Sequence, residues 1–348
     1  MILFDEQDTV TLSSFGMQIP VHHSKAAGTL AFLREHPALG PVAHLWEART
    51  RPMDISRHDL ELAHAPEYVD RLFSQELEHE VLKTYELIAE DGSYHRYDPA
   101  RAERPLSDVL QRALARVAGT VQCCRKALQV GFCFYMGGGM HHGHWDHGKG
   151  FCLLNDIVIA LRKLQQDREI SSAWVIDVDA HKGDGTAALT RDDPSIVTLS
   201  VHMARGWPLD EPDMLENSGP NPSLVPSDID MPIGPGEEGR YLERLQTGLK
   251  TLTTFPRPDL ALVVSGADPY ELDELESTAE LKLSLEQLLA RDVLIWRFLQ
   301  AQNVPQACLM AGGYGSQTWR VYAQFLEQVL LERTGGLNSS GTLDRGGS

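Results

Sequence analysis

The sequence predicts an α/β protein: a single domain built on a doubly wound, mostly parallel sheet flanked by helices, with active-site loops at the carboxyl ends of the strands. Two observations predict this. The stretches 173–176, 196–201 and 260–264 are apolar on consecutive residues, as strands covered on both faces must be. Helical patterns at about 236–254, 284–302 and 316–333 separate the later strands, and an alternation of strand and helix builds a parallel sheet.

Taken in order, the elements begin with short helix-like pieces at 24–34, 57–63 and 66–73, joined by polar loops. Residues 1–105 therefore read as a helical cap on the same core. Ser107 is placed to cap a helix. Leu110, Leu114, Val117, Val121, Cys124 and Leu128 follow at helical spacing, and Gly131 ends it. A short buried strand at 132–136 and a helix at 155–164 lead to the strand at 173–176. The stretch 216–226 is rich in Pro, Ser, Asn and Gly and reads as a loop. The Gly/Ser-rich tail 335–348 reads as disordered, which leaves 1–334 as the single folded domain.

With 348 residues, 42% of them hydrophobic, the chain can bury a large core. Its 49 acidic residues against 31 basic ones give a formal net charge of −18. Such a surface repels nucleic acid and anionic membranes and attracts cationic ligands such as peptide lysines or polyamines. The five cysteines, Cys123, Cys124, Cys133, Cys152 and Cys308, include no C-x-x-C pair, which suits a reducing cytoplasm. No apolar run approaches the roughly 18 residues of a membrane span.

Ligands of open parallel sheets bind beyond the carboxyl ends of the strands. Four polar clusters fall at such ends: Gly137 to His142 (G-G-G-M-H-H), Asp177 to His181 (D-V-D-A-H), Gly266-Ala267-Asp268, and Gly312-Gly313-Tyr314. Residues i and i+2 of an extended segment share a face, so Asp177, Asp179 and His181 can point one way. Asp179, His181 and Asp268 offer two carboxylates and an imidazole, a set that suits a divalent metal and leaves a position open for water, as catalytic sites do. Aspartates after strands also serve as helix caps, but capping explains neither His181 nor the apolar strand before it. His141 and His142, behind three glycines, titrate in the range a base needs, and Asp177 and Asp184 are carboxylates able to orient them. Tyr314 between glycines supplies a phenol donor for an oxyanion. His144 and His147 stand among Trp145, Asp146 and Lys149, a setting that reads as a solvated loop.

Together these clusters resemble the histone deacetylase family, including its bacterial deacetylase-like and acetylpolyamine amidohydrolase members. Further matching pieces are G-F-C-L-L-N-D at 150–156, K-G-D-G at 182–185, L-S-V-H at 199–202 and the segment from His64 to Val69. Ala180 in D-V-D-A-H leans toward the class IV branch. The resemblance implies the arginase/deacetylase fold and a zinc-dependent amidohydrolase, Fe(II) being compatible with the same ligands. It implies Asp179, His181 and Asp268 as metal ligands, His142 as general base with His141 its electrostatic partner, Asp177 and Asp184 as their carboxylates, and Tyr314 as the transition-state tyrosine. It places Gly150, Phe151, Gly313 and Trp207 along the substrate tunnel and gives Asp98 as the rim carboxylate that grips substrate backbone. It also implies a structural K+ at Asp177, Asp179, His181, Ser200 and Val201. The implied substrate is an acylated lysine in a protein or peptide, or an acetylated polyamine or other small amine.

Two rivals are set against this. A two-metal ureohydrolase shares the fold and the D-A-H motif, but needs further carboxylates where Gly183, Gly266 and Tyr270 stand. A non-catalytic acyl-lysine binding protein would not need every catalytic position filled.

Overall fold

The computed structural model describes residues 1–5, 11–20, 24–89, 91–215 and 219–335. Its eight-stranded sheet is parallel throughout, with the order β2-β1-β3-β10-β9-β4-β5-β8. The strands are β1 (Ile2–Phe4), β2 (Glu47–Arg49), β3 (Phe132–Tyr135), β4 (Ala173–Asp177), β5 (Ile196–Met203), β8 (Ile229–Ile233), β9 (Leu260–Ser265) and β10 (Gln306–Met310). The remaining strands, β6 (Met214–Leu215) and β7 (Gly219–Pro220), form a separate antiparallel pair, of which β7 falls inside the stretch 216–226 expected to be a loop; residues 216–218 lie outside the described residues. The expected tail also lies outside them, save Gly335.

The main sheet is covered on both faces, and alternate strand residues show it. Trp174, Ile176, Leu199, Ala261 and Val263 join one core with α1 (Ser24–Glu35), α9 (Tyr241–Leu252), α10 (Leu285–Ala301) and α11 (Trp319–Gly335). Val175, Ile196, Leu260, Leu262 and Leu309 join another with α6 (Asp108–Val130) and α7 (Asp156–Gln166). Each fully buried aliphatic side chain contributes about 1.5–3 kcal/mol, so both layers favour burying these strands. Gly131 closes α6 in a left-handed conformation, with φ 79°. Ser107 stands at the N-cap of α6, but its hydroxyl makes no capping bond, so burial of Val109, Leu110 and Ala113 holds that end instead. Asn155 caps α7 by accepting from the Val158 N–H at 3.0 Å.

The N-terminal part is less regular. The short helices α3 (Arg57–Glu61), α4 (Pro66–Leu72) and α5 (Leu77–Thr84) pack their own apolar cluster against α6 and α7. Two segments before α6, β1 and β2, add strands to the sheet edge, so this part is not helical alone. Among the described residues no helix is long and apolar enough to cross a membrane.

Candidate active site

The four polar clusters follow β3, β4, β9 and β10, and these are the four adjacent central strands. Their ends are level: Asp177 pairs with Val264, Met310 with Ser265, and Leu309 with Tyr135. Parallel pairing therefore sets all four clusters along one edge of the sheet.

Buried groups fix each cluster. The Asp156 carboxylate accepts the N–H groups of Gly139 (3.1 Å) and Met140 (2.7 Å) and the Thr120 hydroxyl (2.5 Å), which shapes the glycine turn before His141. Gly138 and Gly139 take φ of 79° and 77°, conformations that side chains disfavour. Arg291, wholly buried, donates to the carbonyls of Val178 (3.0 Å) and Gly266 (2.8 Å), which precede Asp179 and Asp268. The Tyr314 N–H donates to Asp273 at 2.7 Å. Burial raises the Asp273 carboxyl to about 6 against these hydrogen bonds.

Asp179, His181 and Asp268 bring one ligand atom each to within 4.8 Å of one another, all buried. His181 Nδ1 lies 3.1 Å from Asp268 and 3.3 Å from Asp179. A Cβ at Gly312 would stand 2.3 Å from Asp179 Oδ2 and 2.8 Å from Asp268 Oδ2, and one at Gly266 would stand 2.4 Å from Asp179 Oδ2. Only glycine leaves these oxygens room, so the donor set and its cradle fit a single metal ion. Burial and the charge of Asp179 raise the Asp268 carboxyl to about 7. Burial alone would lower the His181 imidazole, but hydrogen bonds to both carboxylates raise it to about 10. Without a metal, protons offset the crowded negative charge.

The tandem histidines stand beside this cluster with ring centres 3.9 Å apart. His141 Nδ1 is 2.7 Å from Asp177, and His142 Nδ1 is 2.5 Å from Asp184. Burial opposes charge on His141, but Asp177 and Asp179 outweigh it and raise its imidazole to about 9. Burial and the neighbouring His141 lower His142 to about 3 despite Asp184. Their surroundings thus favour the charged form of His141 and the neutral form of His142.

Two cavities meet at the cluster. One of about 160 Å³ runs outward past Gly150, Phe151, Trp207, Glu86 and Arg96; the other, about 450 Å³, runs behind the cluster past Gly137 to Met140, Gly313 and Lys25. Both touch His142, His181, Phe151 and Tyr314. Phe151 has φ 66°, and a Cβ on Gly150 would meet Trp207 Cη2 at 2.4 Å, so the tip of the Trp207 ring lies against that glycine. The Trp207 ring centre is 4.6 Å from His142 and 5.5 Å from His181. Burial and the charges of Asp268 and Asp179 push the Tyr314 phenol well above its ordinary range, so it remains a donor.

A histone deacetylase domain model matches residues 19–330. The chain belongs to the histone deacetylase family. Relatives of this histone deacetylase domain include an uncharacterized protein of Picosynechococcus, 33% identical over 206 residues, or 59% of this chain and 64% of that one. Histone deacetylase 2 of Arabidopsis thaliana is 25% identical, covering 81% and 67%, and acetoin utilization protein AcuC of Bacillus subtilis is 24% identical, covering 82% and 70%. Crystal structures of two histone deacetylase homologues share the fold: one complexed with SAHA (TM-score 0.67, 20% identity) and one from Aquifex aeolicus (0.65, 19%), each match covering 96% of this chain and 83% of the other.

Within this family fold, most residues singled out in the sequence come together, but not all. Asp98 lines neither cavity. Its carboxylate accepts from the Ala100 N–H at 3.0 Å and lies 3.3 Å from Arg101, while Glu86 and Arg96 line the outer channel. His144 is not solvated: it is 1% exposed and lies 3.2 Å from Asp184. His64 and Tyr68 are structural; they bond the His144 carbonyl (2.7 Å), the Asn155 N–H (3.0 Å) and the Leu153 carbonyl (2.7 Å). Ser200 is the register partner of Asp177, and its hydroxyl lies 2.9 Å from His202. Gly183 and Gly266 have no space for the extra ligands of a two-metal site, since a Cβ on Gly183 would stand 2.3 Å from Asp177.

Proposed function

We propose that the protein is a zinc-dependent deacylase that hydrolyses the amide of an acylated lysine side chain or a similar amine, Fe(II) being compatible with the same ligands. The observation that carries this is the meeting of the His142 imidazole, the phenol of Tyr314 and the Asp179, His181 and Asp268 cluster beside the place where the two cavities join.

Asp179, His181 and Asp268 would hold the ion. When bound, it polarises the amide carbonyl and makes water more acidic. The acyl-lysine stem enters between Phe151 and Trp207, an apolar channel that excludes water and hands the amide to the base. Neutral His142 takes the proton from the attacking water, and Asp184 stabilises the imidazolium that forms. Charged His141, held by Asp177, adds positive potential beside the carbonyl. The Tyr314 hydroxyl donates to the carbonyl oxygen as it becomes negative. His142 then gives the proton to the leaving amine, and the acid product is free to occupy the rear cavity. A structural K+ at Asp177, Asp179, His181, Ser200 and Val201 belongs to the same proposal, supported by the register of Asp177 with Ser200.

The test is hydrolysis of a fluorogenic acetyl-lysine peptide, abolished by chelator and restored by Zn²⁺ or Fe²⁺. Tyr314→Phe is expected to lower kcat by roughly 10²–10³ with metal content unchanged. Urea release with two metals per chain, or binding without turnover on any acyl amine, would overturn the proposal. An acetylpolyamine is the second substrate reading, favoured by the net charge of −18 and by Glu86 at the mouth. A panel that varies amine and acyl chain separately decides between them.

A further inference from the structure

We infer that His144 and Lys149 are positioning residues that lock the His142–Asp184 pair to the loop carrying Trp207. The inference rests on the reading of His142 as the general base.

Asp184 is wholly buried and uses both oxygens. Oδ1 meets His142 Nδ1 at 2.5 Å and the Gly185 N–H at 2.9 Å. Oδ2 meets His144 Nε2 at 3.2 Å and lies 3.7 Å from the Lys149 ammonium. His144 Nδ1 is buried and has no hydrogen-bond partner among the described residues. Nε2, which faces the oxygens of Asp184 and Ser223, is therefore the ring nitrogen that donates to Asp184. His64 holds the His144 backbone by its carbonyl at 2.7 Å, and the His147 ring stacks on the His144 ring at 4.8 Å.

The same two side chains grip the segments 204–215 and 219–225. Ser223 Oγ is 2.7 Å from Lys149 Nζ and 3.4 Å from His144 Nε2. Lys149 also pairs with Glu211 at 2.5 Å and stands 5.3 Å over the Trp207 ring. Trp207 in turn packs on His142. The contacts close a circuit that runs from His142 to Asp184, through His144 and Lys149 to Ser223 and Glu211, along the loop to Trp207, and back to His142. A carboxylate held by one oxygen can pivot about its Cβ–Cγ bond. Held by both, it fixes the imidazole plane, which is what proton transfer requires of a base. The wall of the channel and the aim of the base are thereby set by one pair of side chains.

The experiment compares His144→Leu, His144→Gln and Ser223→Ala with the parent, reading kcat, KM, metal content and the far-downfield proton resonance of the His142 Nδ1–H, identified by its loss in His142→Ala. His144→Leu is expected to lower kcat about tenfold, the size of one hydrogen bond to a charged group, with KM and metal content kept and the resonance shifted or broadened. His144→Gln, which keeps an amide donor, recovers most of both. Ser223→Ala removes one hydroxyl remote from the substrate and is expected to raise KM and lower kcat together by about threefold, as a loosened tether would. Parent-like kcat and an unmoved resonance in His144→Leu, or equal losses in the Leu and Gln variants, would overturn the inference. So would an unchanged KM in Ser223→Ala. The resonance needs no turnover, so a chain that cleaves no acyl amide yet loses the signal in His144→Leu contradicts the proposed function and leaves this inference standing.

Discussion

His141 and His142 are neighbours on one turn, equally buried, and each has its Nδ1 on an aspartate, yet their surroundings drive them to opposite charge. His141 faces Asp177 and also Asp179, 3.7 Å from its Nε2. Two carboxylates overcome the cost of burying an imidazolium. His142 faces one carboxylate, already shared with His144 and Lys149, and sits against a charged His141 and the Trp207 ring. One shared carboxylate does not suffice. Protonation here follows from counting the charges in reach, not from the residue or its immediate partner.

The comparison can be broken most severely at the neutral ring. His142→Ala is expected to lower kcat by about 10²–10⁴ while metal content stays the same; a loss below tenfold would move the base elsewhere. The charged ring depends on its carboxylates, so Asp177→Asn should cost about 10–100-fold in activity or metal affinity, measured by titration with a competing chelator. The metal-free site sharpens the contrast through its own protons. His181, raised to about 10, must lose its proton to bind metal, so affinity should climb about tenfold per pH unit from 7 to 10. Below about 7 the Asp268 proton must leave as well, which steepens the slope. A flat affinity over pH 6–9 would contradict both shifts. The smallest effect serves as a control far from either ring. Asp59 caps α3 from within a Ser56 capping box and bonds Lys163 on α7 at 2.8 Å. Burial opposes its charge, but Lys163 and Ser56 outweigh it and depress its pKa. Its stabilising effect is therefore complete above the usual carboxylate pKa and lost as pH falls through the depressed one. Asp59→Asn should cost about 1 kcal/mol in urea unfolding and leave kcat unchanged.

Some of this is legible in the chain because it is local. Strands such as 173–176 and 260–264 declare burial on two faces by apolar residues in succession, and D-V-D-A-H declares its common face by spacing alone. Strands β1 and β2 have three residues each, too few for any period to register, and β8 carries Pro232 with only its first and last residues buried, the marks of an edge strand. Asp98 also caps the short turn at Pro99–Arg101, a local bond that composition does not reveal. His144 reads as solvated from its neighbours Trp145 and Asp146. Its burial is imposed by His64, Asp184 and Ser223, which lie 80, 40 and 79 residues away in the chain.

The parts are written in the chain: a parallel sheet, four polar clusters at strand ends, and a donor set suited to one metal. Each depends on residues within a few positions of one another, where backbone period and side-chain chemistry suffice. The tertiary structure alone decided which aspartate each histidine meets, which ring is charged, where Trp207 stands and what holds Asp184. Those outcomes depend on distances between residues far apart in the chain, and burial turns small differences in those distances into opposite protonation states.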